Sequence, residues 1–183
     1  MTIGIILAGG HSSRFGSDKA LYFDALYKEY WVCLAYQKLA ALTDTVFICG
    51  NANNQQALKN ILPKSAIVLT DCLPFIDCGP LSALYAAASQ NQCGTTRQDY
   101  LILAVDYPDI SQDSLSALLS KRNCYLQDAN QKNHYTVAHL SFCKDDLTYF
   151  LTKSQRMKNF LAYLLAIPIF ADQNVVNQNT LSK

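Results

Sequence analysis

Gly9 and Gly10 stand directly behind a short apolar run, and Arg14 and Lys19 follow them closely. Glycine carries no Cβ, so the chain there can turn sharply and approach a ligand. Exposed backbone N–H groups in such a turn make a pocket for an anion. Arg offers a planar fork to phosphate oxygens and Lys a mobile point charge, so together they can neutralise a triphosphate. Two other glycine loops are ruled out on spacing. The dinucleotide fingerprint fails because no glycine follows Gly10 until Gly16, and the P-loop ending fails because Gly16 precedes Ser17-Asp18-Lys19 rather than Lys-Ser/Thr. An ordinary strand-to-helix turn with a solvated Arg14 and Lys19 is the alternative.

A carboxylate with matching chemistry occurs at Asp106, after the apolar run Leu101-Ile102-Leu103-Ala104-Val105, and another at Asp71. Both follow predicted strands, where open α/β sheets bind ligands, although an Asp in that place also caps turns or helices.

These residues need a frame, and the apolar pattern supplies one. Strands are predicted over residues 2–8, 45–49, 66–70 and 100–105, alternating with helices over 30–42, 55–62 and 81–89. Repeated βα units of this length imply a mostly parallel sheet with helices on both faces. A helix over 112–119 then leads to two runs, 124–127 and 135–140, expected to pair antiparallel at the sheet edge. Helices over 144–151 and 157–166, a last strand over 168–171 and a polar, Asn-rich tail complete the chain. No repeat or linker divides it, so one domain over 1–183 is expected.

Composition narrows the class. The formal net charge is +1 with no Lys/Arg block, which argues against nucleic acid as a partner. No apolar run approaches the roughly 18 residues of a membrane span, and the first residues lack the basic region of a signal peptide, so a cytoplasmic protein is expected. The seven cysteines are scattered, without metal-ligand spacing, and read as small buried apolar residues.

The run Leu7-Ala8-Gly9-Gly10-His11-Ser12-Ser13-Arg14-Phe15-Gly16-Ser17-Asp18-Lys19-Ala20 resembles the N-terminal signature of the molybdenum cofactor guanylyltransferases and their close relatives. The resemblance implies a Rossmann-like nucleotidyltransferase fold, GTP as donor, a molybdopterin cofactor as acceptor and Mg²⁺ as cofactor. It further implies transient contact with molybdenum cofactor biosynthesis proteins or target molybdoenzymes. Later segments resemble the family in the expected order. Asn51-Ala52-Asn53 is similar to its loop near the base, and Gly79-Pro80-Leu81 to its G-P-L segment beside base and ribose. Pro80 also suits the first position of a helix. Asp106-Tyr107-Pro108 is similar to its metal-binding D-x-P element, and one carboxylate suffices for Mg²⁺, which completes its shell with phosphate and water. Asn177-Gln178-Asn179-Thr180 is similar to an element that approaches nucleotide and pterin.

The resemblance therefore assigns Arg14 and Lys19 to the triphosphate and Asp106 to the metal. Leu7, Ala8, Gly9, Gly10, Lys19, Asn51, Asp71, Gly79 and Pro80 fall to the nucleotide, and Asn177 and Asn179 to the acceptor side. Two segments depart from the family. Residues 22–29 lack its G-K-P-L hairpin except for Lys28, and His134-Tyr135-Thr136-Val137-Ala138-His139-Leu140 replaces its Q-P-L-x-A-L-Y. The second departure faces the acceptor, so CTP or another phosphorylated acceptor, or a non-catalytic nucleotide binder, stay open. His134 and His139 read as sheet-edge and packing residues, because transfer to an existing phosphate needs no strong base.

Overall fold

The computed structural model describes residues 1–10, 16, 18–91, 94–171 and 175–178. Its centre is a seven-stranded sheet. In chain order the elements are strand β1 (Thr2–Leu7), the two-stranded hairpin β2 (Phe23–Asp24) and β3 (Glu29–Tyr30), helix α1 (Trp31–Ala40), β4 (Thr45–Cys49), α2 (Gln55–Ile61), β5 (Ile67–Leu69), α3 (Pro80–Ala88), β6 (Gln98–Ala104), α4 (Gln112–Leu118), β7 (Cys124–Gln127), β8 (Asn133–Phe142), α5 (Lys144–Leu151), α6 (Met157–Tyr163) and β9 (Ile167–Phe170). The strands lie in the order β5-β4-β1-β6-β8-β7-β9.

Only β8 runs against the rest: it is antiparallel to β6 and β7, while the other pairings are parallel. β1 is central because its apolar residues serve both sides. Ile5 and Ile6 point to opposite faces and both are fully buried, each removal from water contributing about 2 kcal/mol. Ile6, Leu39, Ile48, Leu58, Leu103 and Leu115 join the core under α1, α2 and α4. Ile5, Phe47, Leu84, Ile102, Phe142 and Phe160 join the core under α3, α5 and α6. Helices thus cover both faces.

Two placements differ from the sequence reading. The β7–β8 pair is not the sheet edge, because β9 adds beside β7 in parallel and itself forms the edge. His134 and His139 accordingly lie on an interior strand, at 2% and 4% exposure. Residues 22–29, which lack the family's G-K-P-L motif, form a hairpin, with Lys28 at φ 54° in its turn and Phe23 edge-on against Tyr30. The Trp31 indole N–H donates to Asp24 at 2.9 Å, pinning the hairpin to α1 without the family's residues.

Among the described residues no helix is long and apolar enough to cross a membrane. The described cysteines are unpaired, and all but Cys72 are buried; Cys93 lies outside the described residues. Burial pushes the Cys49 thiol up to about 12, and the Cys33 and Cys124 thiols to about 11.

Candidate active site

The chain visits β4 and β5 on one side of β1, then crosses to β6 on the other. The carboxyl ends of β1, β4 and β6 therefore open into a crevice at a topological switch point, the usual ligand place in such sheets. A cleft of about 450 Å³ lies there. Leu7, Ala8, Gly9, Gly10, Lys19, Asn51, Asp71, Gly79, Pro80, Asp106 and Asn177, expected to act together, all line it. Arg14 and Asn179 lie outside the described residues.

The two glycines have different reasons. A Cβ on Gly9 would stand 2.9 Å from the Gly50 carbonyl oxygen, so Gly9 admits the end of β4 rather than a ligand. A Cβ on Gly10 would meet nothing within 4 Å, and its backbone is open to the cleft. At Gly79, φ is 63°, which favours glycine, and Pro80 then takes the first position of α3.

Lys19 begins a 3-10 turn, Lys19–Leu21, capped by Asp18, whose Oδ1 accepts from the Ala20 N–H at 2.9 Å. Its ammonium donates to Asp106 Oδ2 at 3.2 Å, with the two side chains 13% and 18% exposed. Asp106 Oδ1 is buried and has no hydrogen-bond partner among the described residues. A buried carboxylate oxygen in that state suits a hard cation. No three His, Cys, Asp or Glu side chains gather as a metal site among the described residues, so a cation here would need phosphate or water to complete its shell. Asp71 lies across the cleft and accepts from the Asp77 N–H at 3.0 Å.

Asn54 is a positioning residue that the sequence reading passed over. It stands at the cap of α2, yet its side chain turns away from its own helix. Nδ2 donates to the Ala8 carbonyl at 2.8 Å and to Asp18 Oδ2 at 2.7 Å, while Oδ1 accepts from the Asn51 N–H at 2.8 Å. Asn51 in turn donates to the Gly9 carbonyl at 3.2 Å. One buried amide thus ties the glycine loop, the residue before Lys19 and the loop after β4 into one wall. Its position after Asn51-Ala52-Asn53 is the only trace in the sequence, where a polar turn looks the same.

The side of the cleft expected to face the acceptor is polar. Thr136 of β8 lines the cleft, because the β7–β8 register shifts between Tyr125 and Leu126 and leaves residues 135–137 without partners on β7. The tail comes back over the site: the Gln178 N–H donates to the Asp106 carbonyl at 2.8 Å, which sets Asn177 beside Asp106. Asn177 Oδ1 is a second buried oxygen with no partner among the described residues. Lys38 of α1 holds the same loop through the Pro108 carbonyl, its pKa drawn down by burial. Taken together, the cleft can bind a polyanion at Lys19 and the glycine loop and offer oxygen ligands opposite.

The family model of the MobA-like NTP transferase domain matches residues 4–167. No curated protein sequence matches the chain. Among solved structures it is similar to the molybdopterin-guanine dinucleotide biosynthesis protein A of Archaeoglobus fulgidus, at 13% identity and a TM-score of 0.65, over 93% of this chain and 83% of that one. It is also similar to a nucleotidyl transferase from Methanothermobacter, at 14% identity and a TM-score of 0.68, over 94% and 88%. A third is the 4-diphosphocytidyl-2C-methyl-D-erythritol synthase of Anaerococcus prevotii, at 9% identity and a TM-score of 0.64, over 98% and 93%. At these identities the likeness carries the fold alone.

Proposed function

Because the chain belongs to the MobA-like NTP transferase family, we propose that it transfers GMP from GTP to the terminal phosphate of molybdenum-molybdopterin, giving the guanine dinucleotide form of the cofactor and pyrophosphate. The observation that carries nucleotidyl transfer is the Lys19–Asp106 pair at the mouth of β1 and β6, with Asp106 Oδ1 buried and unclaimed by the described residues. The choice of GTP and of the pterin rests on the signature from Leu7 to Ala20.

An oxygen of the acceptor phosphate attacks the α-phosphorus in line, the bond from that phosphorus to the bridging oxygen breaks, and pyrophosphate departs. The attacking group is already an anion, so no strong base is required, and the protein contributes position and charge. Lys19, with Arg14 of the same signature, neutralises the triphosphate. The backbone from Leu7 to Gly10, with Asn51, Asp71, Gly79 and Pro80, holds the nucleotide. Asp106 would hold Mg²⁺, which when bound offsets the charge of the phosphates. The whole chain acts as one nucleotidyltransferase domain in this reading.

A second reading keeps the chemistry and changes the substrates to CTP or another phosphorylated acceptor. It is favoured by Thr136, a hydroxyl on the cleft wall where the family's segment carries Leu. Incubating the protein with Mg²⁺, each nucleoside triphosphate and the pterin cofactor, and following pyrophosphate, tests both. Lys19→Ala and Asp106→Ala should each abolish product while leaving the far-ultraviolet circular dichroism unchanged. Near-normal turnover in either variant would remove the mechanism.

A further inference from the structure

The described tail, residues 175–178, is tied down at both ends. Val175 is 7% exposed and sits in the core under α1, α2 and α4. Gln178 grips the loop between β6 and α4 twice: its backbone N–H donates to the Asp106 carbonyl at 2.8 Å, and its side-chain Nε2 donates to Asp109 Oδ2 at 3.2 Å. Asn177, between these two anchors, lines the cleft. The other oxygen of the same carboxylate, Asp109 Oδ1, accepts from the hydroxyl of Tyr27 in the β2–β3 turn. That bond, ahead of burial, pushes the Tyr27 pKa up, so the phenol keeps its proton and donates. One carboxylate therefore joins segments 82 and 69 positions away in sequence.

The usual local duty of such a residue is taken by another. An Asp shortly before a helix commonly caps it, but α4 is capped by Ser111, whose Oγ accepts from the Ser114 N–H at 3.1 Å. The loop also has supports of its own. The Tyr107 hydroxyl lies 3.2 Å from His134 Nδ1, Lys38 donates to the Pro108 carbonyl, and the Val105 N–H donates to the Leu7 carbonyl at 3.2 Å. Those bonds fix the loop, and Asp106 with it, from β8, α1 and β1. The two bonds of Asp109 thus act on what comes to the loop, the hairpin and the tail.

A tail is ordered where it is tied, because every residue fixed loses backbone freedom. A hydrogen bond to a carboxylate is stronger than one between neutral groups, and a carboxylate already held by Tyr27 loses less freedom in accepting it. We propose that Asp109 is a positioning residue that clasps the tail to the loop carrying Asp106, and so keeps Asn177 in the wall of the cleft expected to face the acceptor. Its effect on turnover rests on the nucleotidyl-transfer reading; the clasp itself does not. Since the loop of Asp106 keeps its other supports, loss of the clasp weakens the hold on the acceptor and spares the nucleotide.

Asp109→Ala removes the clasp, and Gln178→Glu sets two carboxylates against each other. Combining Gln178→Glu with Asp109→Asn exchanges donor and acceptor at constant net charge. With molybdenum-molybdopterin as acceptor, Asp109→Ala and Gln178→Glu should each raise its KM about fivefold or more while KM for GTP stays within about twofold. The exchanged pair should return to within about twofold of wild type. Equal rises for both substrates, or no recovery in the exchanged pair, would overturn the proposal. Amide hydrogen exchange, followed by NMR of the substrate-free protein, reads the clasp without turnover. The amide at position 178 should exchange at least about fivefold faster in Asp109→Ala, and the Val105 amide, which bonds to β1, at an unchanged rate. An unchanged rate at position 178 overturns the clasp, whatever the activity. Equal acceleration at Val105 overturns it too, because the loop itself would then have given way. Absence of pyrophosphate release by the wild type with every nucleoside triphosphate would instead refute nucleotidyl transfer, with the exchange rates still deciding the clasp.

Discussion

Replacing Asn54 by Ala removes the one amide that joins three parts of the cleft. Asn54 is 1% exposed, and the substitution leaves the Ala8 carbonyl, Asp18 Oδ2 and the Asn51 N–H without their partners. An unpaired buried group costs about 1–3 kcal/mol, toward the upper end when it is charged as Asp18 is. Simple addition would reach roughly 5 kcal/mol, but Asp18 keeps its bond from the Ala20 N–H, and both Asp18 and Asn51 border the cleft, where water can replace the amide. We therefore expect about 3 kcal/mol. For a chain of this length that is a fall in Tm of about 6–12 °C. The same change frees Asp18 and with it the turn that carries Lys19, so kcat/KM should fall at least about tenfold, as it does when a positioning contact is lost. Gly50→Ala attacks the same amide from behind: its Cβ would stand 2.5 Å from Asn54 Oδ1 and 2.7 Å from Leu58 Cδ1. Because Asn54→Ala vacates that space, the cost of Gly50→Ala should drop by about 1 kcal/mol or more in the Asn54→Ala background. Thermal unfolding of the four proteins of this cycle, followed by circular dichroism, measures both quantities. A Tm within about 2 °C of wild type for Asn54→Ala, or strict additivity with Gly50→Ala, would refute the reasoning.

The two glycines of the loop should separate stability from binding. Gly9→Ala forces a Cβ to 2.9 Å from a backbone oxygen and should cost about 1–3 kcal/mol in unfolding. Gly10→Ala meets no atom within 4 Å and should leave stability within about 0.5 kcal/mol while weakening nucleotide affinity, read by titration calorimetry. The buried thiols should be silent to iodoacetamide at pH 7.5 and react after urea unfolding. Rapid alkylation of Cys49 in the native protein would contradict its burial at 1% exposure. The Cys49 pKa is raised from about 8.5 in the unfolded chain to about 12 in the fold, so its contribution is complete below the lower value and is lost as pH climbs through the higher. Stability measured by urea titration should therefore decline above about pH 9 with a slope of roughly 1.4 kcal/mol per pH unit from this thiol.

Much of this was legible along the chain because it depends on neighbours in sequence. The alternation of apolar runs with helical spacing was enough for a mostly parallel sheet with helices on both faces, since a strand buried on both sides needs an apolar residue at nearly every position, as in Ile5-Ile6. The glycine loop, Asp71 and Asp106 could be placed at one end of the sheet because parallel strands all present their carboxyl ends together. Other features depend on contacts between residues far apart in sequence, and only the fold decided them. Gly9 is required by the approach of Gly50, a residue in another strand-to-helix connection. Asn54 looks like any turn asparagine until Ala8 and Asp18 close on it. His134 reads as a sheet-edge or packing residue until β9 adds beyond β7, the register shifts, and Asp128 and Tyr107 meet it from either side. Local pattern determines which elements form and which way they point. Which polar groups become partners in the absence of water is set by packing, as at Asn54, where packing joins the glycine loop, the residue before Lys19 and the loop after β4 into one wall of the cleft.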